Sequence, residues 1–348
     1  MGPARVRVGV LSAGAWSEST HLPVLASRPD VELVVVSRPD KELAEAAAGR
    51  FGAGHAETDW RAALDHELDA VIVSSPPSVH RQQVIGALRS GASVLVEKPF
   101  ALTSSDALAM TASAVDNDRS LLVAFGWSAT PAFRTARELI RSGRLGRIEH
   151  VMMHLAVNTR RLLTGGDDGG WGGAGGSDPA TYTDPDVSGG GTAAVSMSHQ
   201  LGLLMWVLGE RIDQVYAQTW PPAARVDLHD AVLASFSGGG SGVLSCVSTH
   251  PDSVVPMWHL AIHGEQGQIW IDTALGVVRY VRADGNRWEP SREEADGSYA
   301  AGWPTHALVE VAHGAAVPAG LSADLAVDVV RVTEAIYRSA GNGRPESV

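Results

Sequence analysis

The strongest constraint on this chain is a rhythm in its first third, where short apolar runs alternate with stretches of helix-forming residues. Val6–Leu11 is an apolar run broken only by Arg7, the pattern of a strand covered on both faces. A second run follows at Val31–Val36, and a third in "DAVIVSS" (Asp69–Ser75) stops at Pro76 and Pro77. A fourth lies in "SVLVEK" (Ser93–Lys98). Helical stretches separate them: one around His21–Ser27, "DKELAEAAAGRFG" (Asp40–Gly52) with Gly52 as its stop, and "VHRQQVIGALRSG" (Val79–Gly91). "SSDALAMTASAVDN" follows the fourth run, with Ser104 or Ser105 as its cap. Strand–helix repeats at this spacing predict a parallel sheet with helices on both faces.

After "LLVAFGW" (Leu121–Trp127) the rhythm changes. A helix at Pro131–Ser142 leads into a long alternating strand, "GRIEHVMMHLAV" (Gly146–Val157). From Val215 to Val281 successive strands are joined by glycine turns, the mark of an antiparallel sheet. Helices are expected at Leu201–Leu208 and Ala323–Ser339. The chain of 348 residues therefore reads as two domains, 1–127 and 128–348. Eight glycines and Trp171 lie between Gly165 and Gly176, either a surface linker or a flap over a substrate.

A net charge of -12 disfavours nucleic acid or an anionic membrane as a partner. Cys246 is the only cysteine, so neither an internal disulfide nor a cysteine metal cage is expected. The start, "MGPARVRVGVL", runs directly into a strand without a signal-peptide pattern, and no apolar run reaches the ~18 residues of a membrane span. A cytoplasmic protein is expected. His150 and His154 fall on one face of a strand, and His229, His250, His259 and His263 lack metal spacing; no metal is expected.

The turn after the first strand, "LSAGAWSEST", carries a modified dinucleotide signature. The three slots of G-x-G-x-x-G hold Ser12, Gly14 and Ser17. Gly14 keeps the middle slot, where the backbone approaches a pyrophosphate; Ser17 is small enough for helix–strand packing, and Ser12 makes the tight turn at some cost. Ser17 and Ser19 hydroxyls can add donors at the helix N-terminus. The second strand ends in Ser37 and Arg38, where an acidic residue would bind an adenosine ribose. A guanidinium there pairs with a 2′-phosphate, so NADP(H) is favoured, with NAD(H) still open. The alternative is a solvated Arg38, with Asp40 capping the next helix.

Taken with "SSPPSVH", "VLVEKPF", "PAFRTARELIRSGRLGRI" and "SGGGTAAVSMSHQLGLLMWVLG", these features make the chain resemble the glucose-fructose oxidoreductase / inositol dehydrogenase / MocA family. The resemblance implies an N-terminal Rossmann domain and a C-terminal α+β domain with a large, open, mostly antiparallel sheet. It implies assembly through that sheet as a homodimer or homotetramer, and a small sugar- or polyol-like substrate in a cleft between the domains. Cofactor contacts are then expected at Ser12, Gly14, Ala15, Trp16, Ser37, Arg38, Ser75, Pro76, Pro77, His80, Glu97 and Lys98. Glu97 would hold the nicotinamide ribose, and Lys98 and His199 would handle the proton beside the reacting carbon. Trp127, Tyr182, Ser196, His199 and His306 are expected to meet the substrate. One departure stands out: many members place aspartates four residues before and three after the histidine, where this chain has Val195 and Gly202. Hydride transfer to or from a CH–OH carbon is the leading expectation. The others are a lyase or glycoside-cleaving enzyme that recycles a bound cofactor, and a regulatory protein that keeps the cofactor domain without turnover.

Overall fold

Apolar runs covered on both faces need partners on both sides. In the computed structural model, which describes residues 5–166, 180–220 and 225–348, the early strands find them in one sheet. Strands β1 (Val6–Leu11), β2 (Val31–Ser37), β3 (His55–Glu57), β4 (Ala70–Val73), β5 (Ser93–Val96) and β6 (Leu121–Val123) are all parallel, in the order β3-β2-β1-β4-β5-β6. The order reverses between β1 and β4, which opens a crevice at their C-terminal ends. Most of the Gly165–Gly176 stretch, Trp171 included, lies outside the described residues.

Local chemistry sets the helices. The first begins earlier than the sequence suggests: the turn of Ser17–His21 is a π-helix that runs into α1 (Leu22–Ser27). In α2 (Lys41–Phe51) Asp40 caps the start, accepting the Leu43 N–H at 3.0 Å, and Gly52 ends it with φ +76°. Pro77 opens α3 (Pro77–Arg89), where its missing N–H costs nothing. The cap of α4 (Ser104–Asp116) is Thr103 rather than Ser104 or Ser105. Its hydroxyl accepts the Asp106 N–H, while the Ser104 N–H is taken by Glu334 of the last helix at 2.8 Å.

The second sheet has nine strands: β7 (Ile148–Ala156), β8 (Ile212–Trp220), β9 (His229–Phe236), β10 (Ser241–Val247), β11 (Met257–Gly264), β12 (Gly267–Asp272), β13 (Val277–Arg282), β14 (Arg287–Trp288) and β15 (Glu346–Ser347). Their order is β14-β13-β12-β11-β7-β10-β9-β8-β15, antiparallel except for the pair β7 and β10. After α5 (Pro131–Arg141), two successive helices, α6 (Thr192–Val195) and α7 (Met197–Leu208), cover one face. The Gln200 amide of α7 donates to Met153 O and Ser245 O on adjacent strands. The opposite face exposes Met152, Leu233, Val243 and Trp270.

The chain then returns to the first sheet. Helix α8 (Trp303–Ala312) packs on β4, β5 and β6, and α9 (Ala323–Asn342) spans α4, α7 and β8. Both layers are therefore held by the last fifty residues or so as well as by the first crossover. Among the described residues, no helix is long and apolar enough to cross a membrane.

Candidate active site

Between the two sheets lies a cavity of about 1550 Å³. Small-molecule sites are commonly about 300–1,000 Å³, so there is space for a dinucleotide and a second molecule. One half is built by the C-terminal ends of the parallel strands: Ser12, Gly14, Ala15 and Trp16 after β1, Arg38 after β2, Ser75, Pro76 and Pro77 after β4, and Glu97 and Lys98 after β5. Ser12 has φ +55°, the left-handed conformation that the first signature slot demands, and its hydroxyl accepts from Gln83 Nε2 at 3.0 Å. A Cβ on Gly14 would meet only Ser12 O, at 3.9 Å, and would otherwise project into the cavity. Buried Ser75 Oγ and Gln83 Oε1 reach the same space without a hydrogen-bond partner. Open backbone at Gly14 and orphaned polar atoms suit a dinucleotide, which these residues would hold.

Left-handed backbone costs a non-glycine residue about 1–2 kcal/mol. Ser12→Gly is therefore expected to keep stability within about 1 kcal/mol, because relief of strain offsets the lost Gln83 bond, whereas branched Ser12→Val should cost at least about 2 kcal/mol. Denaturant melts measure both.

Glu97 and Lys98 end β5 with opposite environments. Glu97 Oε1 accepts from Trp16 Nε1 at 2.8 Å and from His21 Nε2 at 3.0 Å, and Oε2 accepts the Lys98 N–H at 3.2 Å. Burial opposes its charge, but the His21 and Trp16 bonds and the Lys98 ammonium hold the carboxyl down at about 2. His21 is fixed in turn by Thr305 Oγ1 on α8, 2.7 Å from Nδ1. Lys98 Nζ lies 3.5 Å from the Val195 carbonyl oxygen; burial lowers its pKa, with Glu97 pulling the other way. Facing it from α7, His199 has its pKa pushed well down by burial and by the Lys98 charge, and its buried Nδ1 has no partner.

Family models match at both ends of this cavity: one described as an oxidoreductase family with an NAD-binding Rossmann fold covers residues 6–125, and the GFO/IDH/MocA C-terminal domain covers residues 133–270. The chain belongs to the GFO/IDH/MocA oxidoreductase family. It is similar to the levoglucosan dehydrogenase of Pseudarthrobacter phenanthrenivorans, 34% identical over 115 residues, which are 33% of this chain and 30% of that one. It is also similar to the D-glucoside 3-dehydrogenase of Escherichia coli, 30% identical over 210 residues, 60% of this chain and 56% of that one. The chain thus spans between about a third and somewhat over half of these relatives' length. An oxidoreductase domain protein from Kribbella flavida shares the whole fold, with a TM-score of 0.84 and 23% identity over 99% of both chains.

In this GFO/IDH/MocA protein the other half of the cavity is lined by Trp127, Tyr182, Val195, Ser196, His199 and the ends of later elements. Trp127 packs against Tyr299 with ring centroids 4.5 Å apart and edge-on to Trp258 at 4.9 Å. Tyr182 packs beside Leu163, Val195, Val226 and Leu228. Ser198 turns away, donating to Val195 O at 3.3 Å.

Three expected contacts do not reach the cavity. The Ser37 side chain is buried behind the turn, where its hydroxyl accepts the Ser12 N–H at 3.3 Å, so it braces the loop. His80 is fully buried, with Nε2 2.7 Å from Ser75 O and Nδ1 3.1 Å from Phe100 O, tying α3 to the loops after β4 and β5. His306 is exposed on the far side of α8, with Nδ1 3.3 Å from Arg28 Nη1; its neighbour Thr305 is the residue that points inward. Conversely, the sequence reading left out Gln83, Asn158, Thr159 and Tyr299, which line the cavity. Asn158 Oδ1 and Thr159 Oγ1, just beyond β7, are buried and unpartnered. The Tyr299 ring sits so close that a Cβ on Gly126 would be 2.9 Å from its Cε2. Glycine before Trp127 was the available signal for that approach.

Proposed function

We propose that this protein is an NAD(P)(H)-dependent oxidoreductase acting on a CH–OH or carbonyl carbon of a sugar-like substrate. The observation that carries the reading is the convergence of Lys98 and His199 on one cavity beside an open dinucleotide cradle. The nicotinamide supplies the hydride acceptor or donor. Lys98 takes the hydroxyl proton when the substrate is oxidised and returns it on reduction; its burial brings the neutral amine within reach. Neutral His199 hydrogen-bonds the reacting oxygen, and Asn158 and Thr159 bind neighbouring hydroxyls. Trp127 and Tyr299 offer a sugar ring an apolar platform.

Val255 and Leu275 at the cavity mouth are about three-quarters exposed, 74% and 75%. Such apolar surface favours a glycoside with an apolar substituent over a free sugar. The name of the D-glucoside 3-dehydrogenase agrees with a glycoside as substrate. The test is nicotinamide reduction with a panel of aryl and alkyl glycosides, levoglucosan, free aldoses and inositol. Turnover of at least one saccharide is expected, and none with either cofactor would refute the reading.

For the cofactor, NADP(H) is preferred. Arg38 lies 3.1 Å from Glu18, which also meets Arg50 at 3.6 Å. Two guanidinium groups on one carboxylate leave one positive charge for a 2′-phosphate. Titration with NADPH and NADH in parallel is expected to show tighter NADPH binding, about tenfold or more weaker in Arg38→Asp and tighter in Glu18→Gln. A clear NADH preference would refute it. The outer face of the nine-stranded sheet, where Met152, Leu233 and Val243 stand exposed, supports a second copy of the chain as its partner.

A further inference from the structure

The glycines Gly189–Gly191 precede the helices that carry His199, and what requires them lies outside the cavity. A Cβ on Gly190 would fall 2.0 Å from the Tyr337 hydroxyl, and one on Gly191 2.1 Å from the Asp227 carbonyl oxygen. The turn is pressed against a buried polar cluster organised by Asp227. Asp227 Oδ1 accepts the Gly191 N–H at 3.0 Å and the Tyr337 hydroxyl at 2.8 Å; Oδ2 accepts the Ala193 N–H at 2.7 Å. Its carbonyl accepts the Thr192 N–H at 2.9 Å. One residue thus takes three consecutive N–H groups at the start of α6, groups that a helix cannot satisfy within itself.

At the other end of α6, Val195 O receives Lys98 Nζ, and α7 follows directly with His199 in its first turn. Beside Asp227, on β9, Asp230 is 2% exposed, and neither of its oxygens has a partner in bonding geometry. Burial, and then the Asp227 charge, push its carboxyl up to about 9, so it is neutral at neutral pH.

We propose that Asp227, with Asp230 buried beside it, is a positioning residue for the reaction: it clamps α6 and thereby sets Lys98 and His199 across the cavity. The inference rests on the oxidoreductase reading above. Among the described residues, the titratable groups acting around Asp230 are Asp227, Tyr337 on α9 and Cys246 on β10. None is a cation, so ionisation of Asp230 sets two carboxylates against each other and loosens the clamp.

The experiment compares wild type, Asp230→Asn and Asp227→Asn. In wild type the rates of both oxidation and reduction should fall above about pH 9; titration of Lys98 moves the two directions oppositely. In Asp230→Asn the alkaline fall should disappear from oxidation, while reduction keeps only the fall that loss of the Lys98 ammonium gives it; profiles that overlay wild type would overturn the proposal. Asp227→Asn should lower kcat by about 10²-fold through misplacement while dinucleotide affinity is retained; unchanged kcat overturns it.

A second readout needs no turnover. A carboxyl with a raised folded-state pKa binds its proton more tightly when folded, so its contribution to stability falls as pH rises from the unfolded value toward the folded one. The melting temperature of Asp230→Asn should therefore gain on wild type as pH rises from about 5 to about 9. A constant difference would overturn the buried, protonated Asp230. A rising difference without turnover of any saccharide would refute the oxidoreductase reading and leave the pair intact.

Discussion

Lys98→Ala is expected to lower kcat by about 10³-fold, within the usual range for loss of a positioned proton carrier, and to leave dinucleotide affinity within a few fold. The lysine sits at the end of β5 with its ammonium 3.5 Å from Val195 O, and the open cradle at Gly14 and Ser75 lies on other strands. Removal therefore deletes the proton acceptor without dismantling the cofactor half. Lys98→Arg should not rescue the rate, because a guanidinium stays protonated at any working pH. In wild type, oxidation should rise with pH through the lowered Lys98 pKa while reduction falls, since the first needs the neutral amine and the second the ammonium. Steady-state rates in both directions, with a dinucleotide titration of each variant, measure the effect. A kcat loss below tenfold would remove Lys98 from the proton path.

Four strands of the first sheet were legible because strands buried on both faces are nearly all apolar, as at Val6–Leu11, broken only by Arg7, and Ala70–Val73. The three-residue strands His55–Glu57 and Leu121–Val123 are too short to carry such a pattern. Asp40 and Gly52 declared one helix through its cap and stop. The second sheet was legible from its glycine-punctuated alternation, though not the parallel pairing of β7 with β10, which depends on strands far apart in the chain. At the site, Glu97, Lys98 and His199 stood out through neighbouring residues that repeat a family pattern. What escaped was the direction of side chains at element ends. Ser37, His80 and His306 occupy plausible positions, but each turns toward the backbone of a loop or a surface neighbour. Long-range partners escaped for a related reason: His21 meets Glu97 and Thr305 across 76 and 284 residues, a separation that no local pattern reports. The Asp227 clamp is likewise made only when β9, α6 and α9 meet.

The missing carboxylates near His199 have a packing explanation. A Cβ at Gly202 would sit in ordinary van der Waals contact with Val329 and Phe125, at 3.4 and 3.5 Å, so an aspartate there would set its carboxylate among apolar side chains. Val195 is 4% exposed and shares an apolar cluster with Leu163, Val226 and Leu228. An imidazole in such a setting is held neutral, by burial first and the Lys98 charge second, and serves as a hydrogen-bonding group to the reacting oxygen. His199→Ala is accordingly expected to lower kcat/KM by about 10²-fold. The wild-type profile should show no limb near the ordinary histidine value of 6.5. Val195→Asp would add a carboxylate at the residue whose carbonyl meets Lys98, four residues before His199, favouring the charged imidazole and the ammonium. Its profile should gain an acid limb, with activity falling as His199 takes up a proton, and its oxidation optimum should move to higher pH. Profiles of kcat/KM for the three proteins decide it. A wild-type limb near 6.5 that vanishes in His199→Ala would mean that the ring titrates in the working range, and the apolar surroundings of His199 would not account for its chemistry.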